Sequence, residues 1–292
     1  MWNKYIKNKI IMMNKNIKNS VPYENFINVT SKEISYVLGF LWADGYLRLP
    51  YNVSTKINSK DSIDIKTVFD KTGEWTNYSY KKYDKRTNKN YDTFIITTSN
   101  RNLVDFLIEN DYDKKSKISP DKILSKIPEE YKSYFFRGYS DGDGCFYNYK
   151  NNQQYIIAST YEQDWVFMKN IFKKLNIFYT IKRSKIITKK GKNSNSSQIR
   201  ITNKNDVDLF GDYIYNNDIN FDNIGLLRKY EKYTNIKNII TKRIIYWTDE
   251  DLNFLKDNYN KLSNNKIALF LNKTKYSVDV KSSRLKLKNK KS

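Results

Sequence analysis

Two acids frame the chemistry open to this chain. Asp44 closes the stretch YVLGFLWADGY, Tyr36 to Tyr46, and Asp143 closes YFFRGYSDGDGCF, Tyr134 to Phe146; a glycine follows each acid. Aligned on Asp44-Gly45 and Asp143-Gly144, Gly39 falls on Gly138, Phe40 on Tyr139 and Ala43 on Gly142. Two carboxylates forced together either share a proton or hold a divalent cation. A single Asp-Gly reads more simply as a helix stop or turn; a duplicated one with matching apolar flanks reads as chemistry. The chain has no His and only Cys145. That removes the commonest general base, multi-cysteine zinc sites and any internal disulfide, and it fits a reducing compartment. Carboxylates and lysines are left to carry a reaction.

The elements that would position these acids follow from the flanks. Each motif reads as an apolar helix of about two turns with small residues four apart, Gly39 and Ala43 or Gly138 and Gly142, which lets two backbones approach closely. Packed side by side, the helices bring Asp44 and Asp143 together at their C-terminal ends. The helix dipole repels a carboxylate there, so a compensating cation is expected, and the following glycine is expected in the left-handed conformation. Ser31 with Glu33 reads as the start of the first helix.

Strand-like runs follow at Tyr46 to Leu49, Val53 to Ile57, Tyr78 to Tyr83 and Thr93 to Thr98, with helices near Asp61 to Asp70 and Asn102 to Glu109. The second half repeats this order, with strands at Cys145 to Tyr149, Tyr155 to Ser159, Tyr179 to Ser184 and Gln198 to Thr202. Its helix over Gln163 to Leu175 has apolar residues at helical spacing. The motif acids stand 99 residues apart (143 − 44), and the matching segments beginning at Asn100 and Asn203 stand 103 apart (203 − 100). Two landmarks at nearly one spacing indicate a duplicated unit. The expected fold is α+β: a pseudo-two-fold pair of αββαββα units with antiparallel saddle sheets, followed by a small all-α three-helix domain. The expected divisions are a basic N-terminal arm over 1–30, halves over 31–127 and 128–235, a linker over 236–246 and a last domain over 247–288.

Val37 to Gly45 and Phe136 to Gly144 resemble the nine-residue motif of the LAGLIDADG homing endonucleases, in the form that carries both motifs on one polypeptide. The resemblance runs from about Ser31 to Tyr233; Trp42 departs from it, standing where Asp141 stands in the other copy. It implies that Asp44 and Asp143 bind Mg²⁺, two or three divalent ions being shared between the motif acids; the backbone of Ala43 is given no role. It also implies that a basic residue after the last helix of each half, Lys115 and Lys229, reaches back to polarise the attacking water or neutralise charge on the phosphate. Lys114 or Lys117 are alternatives to Lys115. The sheet faces would line a DNA major groove, with staggered cleavage across the minor groove. Candidate DNA-reading residues are Arg48, Ser54, Lys56, Tyr80, Lys82 and Arg86 in the first half and Asn148, Lys150, Gln154, Lys182, Arg183 and Arg200 in the second.

After residue 246 the character changes. Thr248 with three following acids, then Leu252, Leu255 and Tyr259, read as a capped helix; a second lies near Asn264 to Leu271, and Thr274 caps a third. Three short helices with a basic last one resemble a helix-turn-helix or Myb-like module, with Lys275, Lys281 and Arg284 toward DNA. A basic hairpin for protein contact is the alternative.

Composition agrees with a polyanionic partner: 53 Lys and Arg against 31 Asp and Glu give a net charge of +22. No apolar run is long enough to span a bilayer. The Asn, Lys, Ile and Tyr usage fits an AT-rich source, so the expected setting is the cytoplasm of a phage-infected or low-GC bacterial cell, or an organelle. The expected partner is double-stranded DNA, with host intron RNA as an alternative, and with no membrane or obligate protein partner. A free-standing monomeric enzyme is expected rather than a splicing insert. The rival readings are an RNA-binding intron maturase and a catalytically silent DNA-binding regulator.

Overall fold

The computed structural model describes residues 21–85, 87–149, 152–187, 193–216, 220–239 and 247–287. Arg86 and Lys150, and residues 1–20 of the expected arm, lie outside them. The chain divides after Ile239 into two compact units.

In the first unit a short helix α1 (Tyr23–Asn28) leads to α2 (Lys32–Asp44), the first motif helix. The expected arm therefore ends earlier than residue 30: Val21, Phe26 and Val29 are buried in the core. The apolar character of these three residues, set among lysines and asparagines, decides it. Ser31 caps α2 by accepting from the Ile34 amide at 3.3 Å. Strands β1 (Gly45–Arg48), β2 (Asn52–Asn58), β3 (Thr76–Asp84) and β4 (Lys89–Ser99) form an antiparallel sheet in the order β1-β2-β4-β3, with α3 (Ser62–Asp70) between the hairpins and α4 (Arg101–Glu109) after them. A short α5 (Asp121–Leu124) connects to the second half.

The second half repeats the plan with α6 (Lys132–Asp143), β5 (Gly144–Tyr149), β6 (Asn152–Thr160), α7 (Val166–Lys174), β7 (Thr180–Ile187), β8 (Asn193–Ile201), α8 (Lys204–Ile214) and α9 (Leu227–Lys237), the sheet running β5-β6-β8-β7. Asn100 and Asn203 are the N-caps of α4 and α8, which is why the two Asn-rich segments match in sequence. α7 begins later than expected because Trp165, buried and bonded through Nε1 to Ser197 Oγ at 2.9 Å, takes a left-handed backbone just before it. α9 runs through Ile236, which is 1% exposed, so the chain remains in the core past the expected linker start.

Alternate residues of each strand face one hydrophobic core shared by both halves. Leu47, Val53, Phe94 and Ile96 point there from the first sheet, and Phe146, Tyr155, Ile157, Ile181, Ile199 and Ile201 from the second. At its centre α2 packs on α6. A Cβ placed on Gly39 would stand 2.0 Å from Phe135 O, and one on Gly138 would stand 2.1 Å from Tyr36 O. Only glycine permits that approach. The motif helices are 13 and 12 residues long, over three turns each rather than two. Gly45 and Gly144 are extended (φ −76° and −85°), not left-handed. Glycine is required there by space: a Cβ would lie 2.3 Å from Tyr112 Oη at Gly45 and 2.5 Å from Tyr155 Oη at Gly144.

The second unit contains α10 (Asp249–Asn258), α11 (Asn264–Phe270) and α12 (Lys275–Arg284). Thr248 and Asp251 form a reciprocal capping box, and Ser263 and Thr274 cap the other two helices. Its core is Leu255, Ile267, Ala268 and Val278, with Trp247, Phe254, Leu271 and Leu285 against it. Among the described residues no helix is long and apolar enough to cross a membrane.

Candidate active site and nucleic-acid interface

The close packing of α2 on α6 sets their C-terminal ends against each other. A Cβ on Gly142 would meet Ala43 Cβ at 2.3 Å and Asp44 N at 3.5 Å. Asp44 and Asp143, the last residues of the two helices, therefore feel each other's charge. Burial, then the neighbouring Asp44 carboxylate, push Asp143 up to about pKa 6, against the pull of Lys115 and Lys229. Asp44 is open to solvent, yet the protein around it also raises its pKa, again opposed by both lysines. Among the described residues neither carboxylate accepts a side-chain or backbone hydrogen bond that would compensate it.

The expected cations are in place. Lys115 Nζ donates to the carbonyls of Leu41, Trp42 and Ala43 at 3.3, 2.7 and 2.6 Å. Lys229 Nζ donates to those of Ser140, Asp141 and Gly144 at 2.8, 2.5 and 2.8 Å. In the motif alignment Leu41 corresponds to Ser140 and Trp42 to Asp141, so the lysines occupy equivalent posts at the carbonyl ends of the two helices. Burial lowers both pKa values, Lys115 to about 8, while the motif acids hold its charge up. Of the alternatives, Lys114 pairs with Asp111 and Lys117 with Glu162, both away from the acids.

The ends of the two helices differ elsewhere. Trp42 packs edge-on against Tyr112, whose hydroxyl donates to Leu41 O at 2.6 Å. Its counterpart Asp141 is buried and accepts from Tyr36 Oη at 2.8 Å and from the Leu226 amide at 2.9 Å, with its other oxygen unpaired. Buried Arg137, one turn earlier, binds Ile214 O at 2.6 Å, Asp222 at 2.6 Å and Ile224 O at 3.0 Å. These contacts fix the connector leading into α9. Arg137 and Asp222 were not among the residues expected from the sequence; the one signal was an arginine between the apolar Phe136 and the close-packed Gly138.

The sheet face opposite the core is the candidate nucleic-acid surface. In the first half Arg48, Ser54, Lys56, Tyr80 and Lys82 share it, because the register pairs Tyr46 with Ser54, Ser54 with Thr97 and Tyr80 with Thr93. Ser54 is buried against Thr97 Oγ1 at 2.6 Å and is not available to a partner. Tyr46, missed from the sequence, lies on this face between Arg48 and Lys56, whose charges stand 5.4 and 5.2 Å from its ring centre. In the second half Gln154, Lys182 and Arg200 share the face, with Gln198 bonded to Arg200 at 2.6 Å.

Asn148 and Arg183 do not. Asn148 pairs with Gln153 on the side of Phe146 and Tyr155, and Gln153 donates to it at 3.1 Å. Arg183 pairs with Ser197 and donates to Tyr161 O and Gln163 O at 3.3 and 3.0 Å. Strand parity excludes both: Phe146 and Ile181 are inside, so the residues two further on are inside as well.

In the second unit Lys275 is tied to Asp279 at 3.0 Å and Lys281 lies 5.8 Å from the Trp247 ring centre, while Arg284 is exposed. The exposed residues of α12 are therefore Lys275, Tyr276, Ser283 and Arg284, with Lys281 only half-buried beside Trp247.

A comparison with curated protein sequences gave no match. Among solved structures the chain is similar to the homing endonuclease I-WcaI bound to its DNA recognition sequence, at 17% identity and a TM-score of 0.49, over 75% of this chain and 95% of that one. Residues 130–215, from just before α6 to the end of α8, match the profile of a LAGLIDADG-like domain.

Proposed function

We propose that the chain is a site-specific double-strand DNA endonuclease of the LAGLIDADG homing class, acting as a monomer with divalent metal. The observation that carries this reading is the pair Asp44 and Asp143: two carboxylates held together, without hydrogen-bond donors of their own, in a protein of net charge +22. A surface that only bound a polyanion would gain nothing from two acids facing the phosphates. The donor set suits Mg²⁺. Among the described residues no three His, Cys, Asp or Glu side chains gather in a metal-binding group, so the two acids would hold the ions with carbonyl, water and phosphate oxygens completing the shell. When bound, the metal supplies Lewis acidity and a water of lowered pKa.

The chain's own residues orient the substrate and balance charge. The sheet faces carry Arg48, Lys56, Tyr80, Lys82, Gln154, Lys182 and Arg200 toward backbone and base edges, and set each scissile phosphate above its acid. Water attacks phosphorus, a new P–O bond forms as the bond to the 3′ oxygen breaks, the attacking water gives a proton to solvent and the leaving 3′ oxygen takes one from solvent; the chain has no His for either transfer. Each of Lys115 and Lys229 already uses three N–H donors on carbonyls. They act through charge, favouring the increase in negative charge at the phosphate, rather than by bonding the attacking water. The second unit, in this reading, adds DNA contacts through α12 and raises affinity by tethering.

The test is incubation of purified protein with a randomised duplex library in Mg²⁺ or in EDTA. Cuts at one long site in Mg²⁺ alone support the reading. Tight DNA or RNA binding without cuts under any divalent metal would replace it with the regulator or the maturase.

A further inference from the structure

The two lysines reach their helix ends on segments that also cross to the opposite half. Lys229 follows Leu227 and Arg228 at the start of α9. The Leu227 amide donates to Asp64 at 3.0 Å, and Arg228 grips Asp61 through two bonds of 2.6 and 2.7 Å. Asp61 ends the turn between β2 and α3 of the first half, and Asp64 stands in the first turn of α3. Lys115 is followed by residues bound to the corresponding turn of the second half, between β6 and α7. Ser116 O accepts from Thr160, Lys117 O accepts from the Asp164 amide at 3.0 Å, Lys117 pairs with Glu162 at 2.7 Å, and the Ser119 amide donates to Asp164 at 3.1 Å.

We propose that these are reciprocal braces: Asp61 and Asp64 of the first half position Lys229, and Asp164 of the second half positions Lys115. Each half thus sets the charge at the other's helix end, and separating the halves disarms both sites together. The braces are unequal. Lys115 is held largely by backbone groups and by Ser119, which is buried, whereas the Arg228 side chain is 47% exposed. The Asp61–Arg228 brace lines the same cleft as Asp44, Lys56, Asn58 and Asp141. The brace on Lys229 is thus the more solvent-exposed of the two, although Lys229 itself is buried.

The inference rests on the endonuclease reading for its meaning, but its test does not need cleavage. Amine-directed acetylation of the folded protein, read by mass spectrometry, reports how tightly each lysine is held against its carbonyls. Asp61→Asn should raise the labelling rate of Lys229 by ~5-fold, the upper range for loss of an exposed ion pair, and leave Lys115 unchanged. Asp61→Glu should restore wild-type labelling, and Asp105→Asn, which loosens a remote pair with Arg101, should alter neither lysine. Equal labelling of Lys229 in wild type and Asp61→Asn would overturn the brace. On a target plasmid, Asp61→Asn should accumulate nicked circle where wild type yields linear product. Selective labelling with no cleavage by wild type would leave the brace standing and remove the endonuclease reading instead.

Discussion

The motif helices approach each other backbone to backbone, and Gly39→Ala tests that approach. The added Cβ would stand 2.0 Å from Phe135 O, and ordinary contact begins near 3.4 Å, so the helices must part by about 1.4 Å (3.4 − 2.0). The obstacle is a backbone carbonyl of a buried helix, which no rotamer change can clear. Overpacking of this kind costs about 1–3 kcal/mol or more, against which alanine recovers up to about 1 kcal/mol of helix propensity. Because the obstacle is backbone the upper end of that range applies, so we expect a net loss of ~2 kcal/mol (3 − 1), and with about 2–4 °C per kcal/mol for a unit of this size, a melting temperature lower by ~4–8 °C. Gly138→Ala, facing Tyr36 O at 2.1 Å, should behave alike. The double variant should cost less than the sum, because one displacement relieves both clashes. Thermal unfolding followed by near-ultraviolet circular dichroism measures this. Both single variants melting within about 1 °C of wild type would refute the close packing, and with it the juxtaposition of Asp44 and Asp143.

Three further outcomes follow from the site. Asp143 protonates near pH 6 in the fold but near 4 in the unfolded chain. Metal-free wild type should therefore lose stability relative to Asp143→Asn as pH rises from about 4 to about 6, and a melting series over that range would show it; a constant difference would contradict it. Arg48→Ala, Lys56→Ala and Lys182→Ala should each flatten the salt dependence of DNA binding by about one unit of slope, whereas Arg183→Ala, whose side chain is bonded on the other face, should leave the slope unchanged in a filter-binding series. Truncation after Ile239 should leave the first unit folded, with its core intact, while DNA affinity falls at least ten-fold (~1.4 kcal/mol); unchanged affinity would remove the second unit from DNA binding.

Much of the scaffold is legible because its constraints are local or repeated. The alternation of Val53, Thr55 and Ile57 with Ser54 and Lys56 fixes both the strand and its face. The paired Asn100 and Asn203 mark two helix starts. Gly39, Gly138 and the acids announce a helix pair. Face assignment failed where basic residues outweighed parity: Lys182 and Arg183 are neighbours, so only one can face DNA, and Ile181 already decides which. The glycines after the acids were misread because their reason is space rather than a left-handed backbone: the hydroxyls of Tyr112 and Tyr155, distant in sequence, and the carbonyls of Leu41 and Ser140 leave no room for a Cβ. The braces of Asp61 to Arg228 and Ser119 to Asp164 are long-range pairings between polar residues on loops, where neither periodicity nor propensity constrains the partner. Lys115 and Lys229 were reached only by resemblance; in the sequence nothing distinguishes them from the other lysines.

The central claim is that Asp44 and Asp143 each serve one strand of a double-strand cut. The direct measurement is time-resolved cleavage of a supercoiled plasmid carrying the selected site, in Mg²⁺, by wild type, Asp44→Asn, Asp143→Asn and the double variant, with DNA affinity measured in Ca²⁺. The account predicts linear product from wild type, nicked circle or no product from each single variant, no product from the double, and affinities within about three-fold of one another (~0.7 kcal/mol). Linear product from the double variant at the wild-type rate would contradict it.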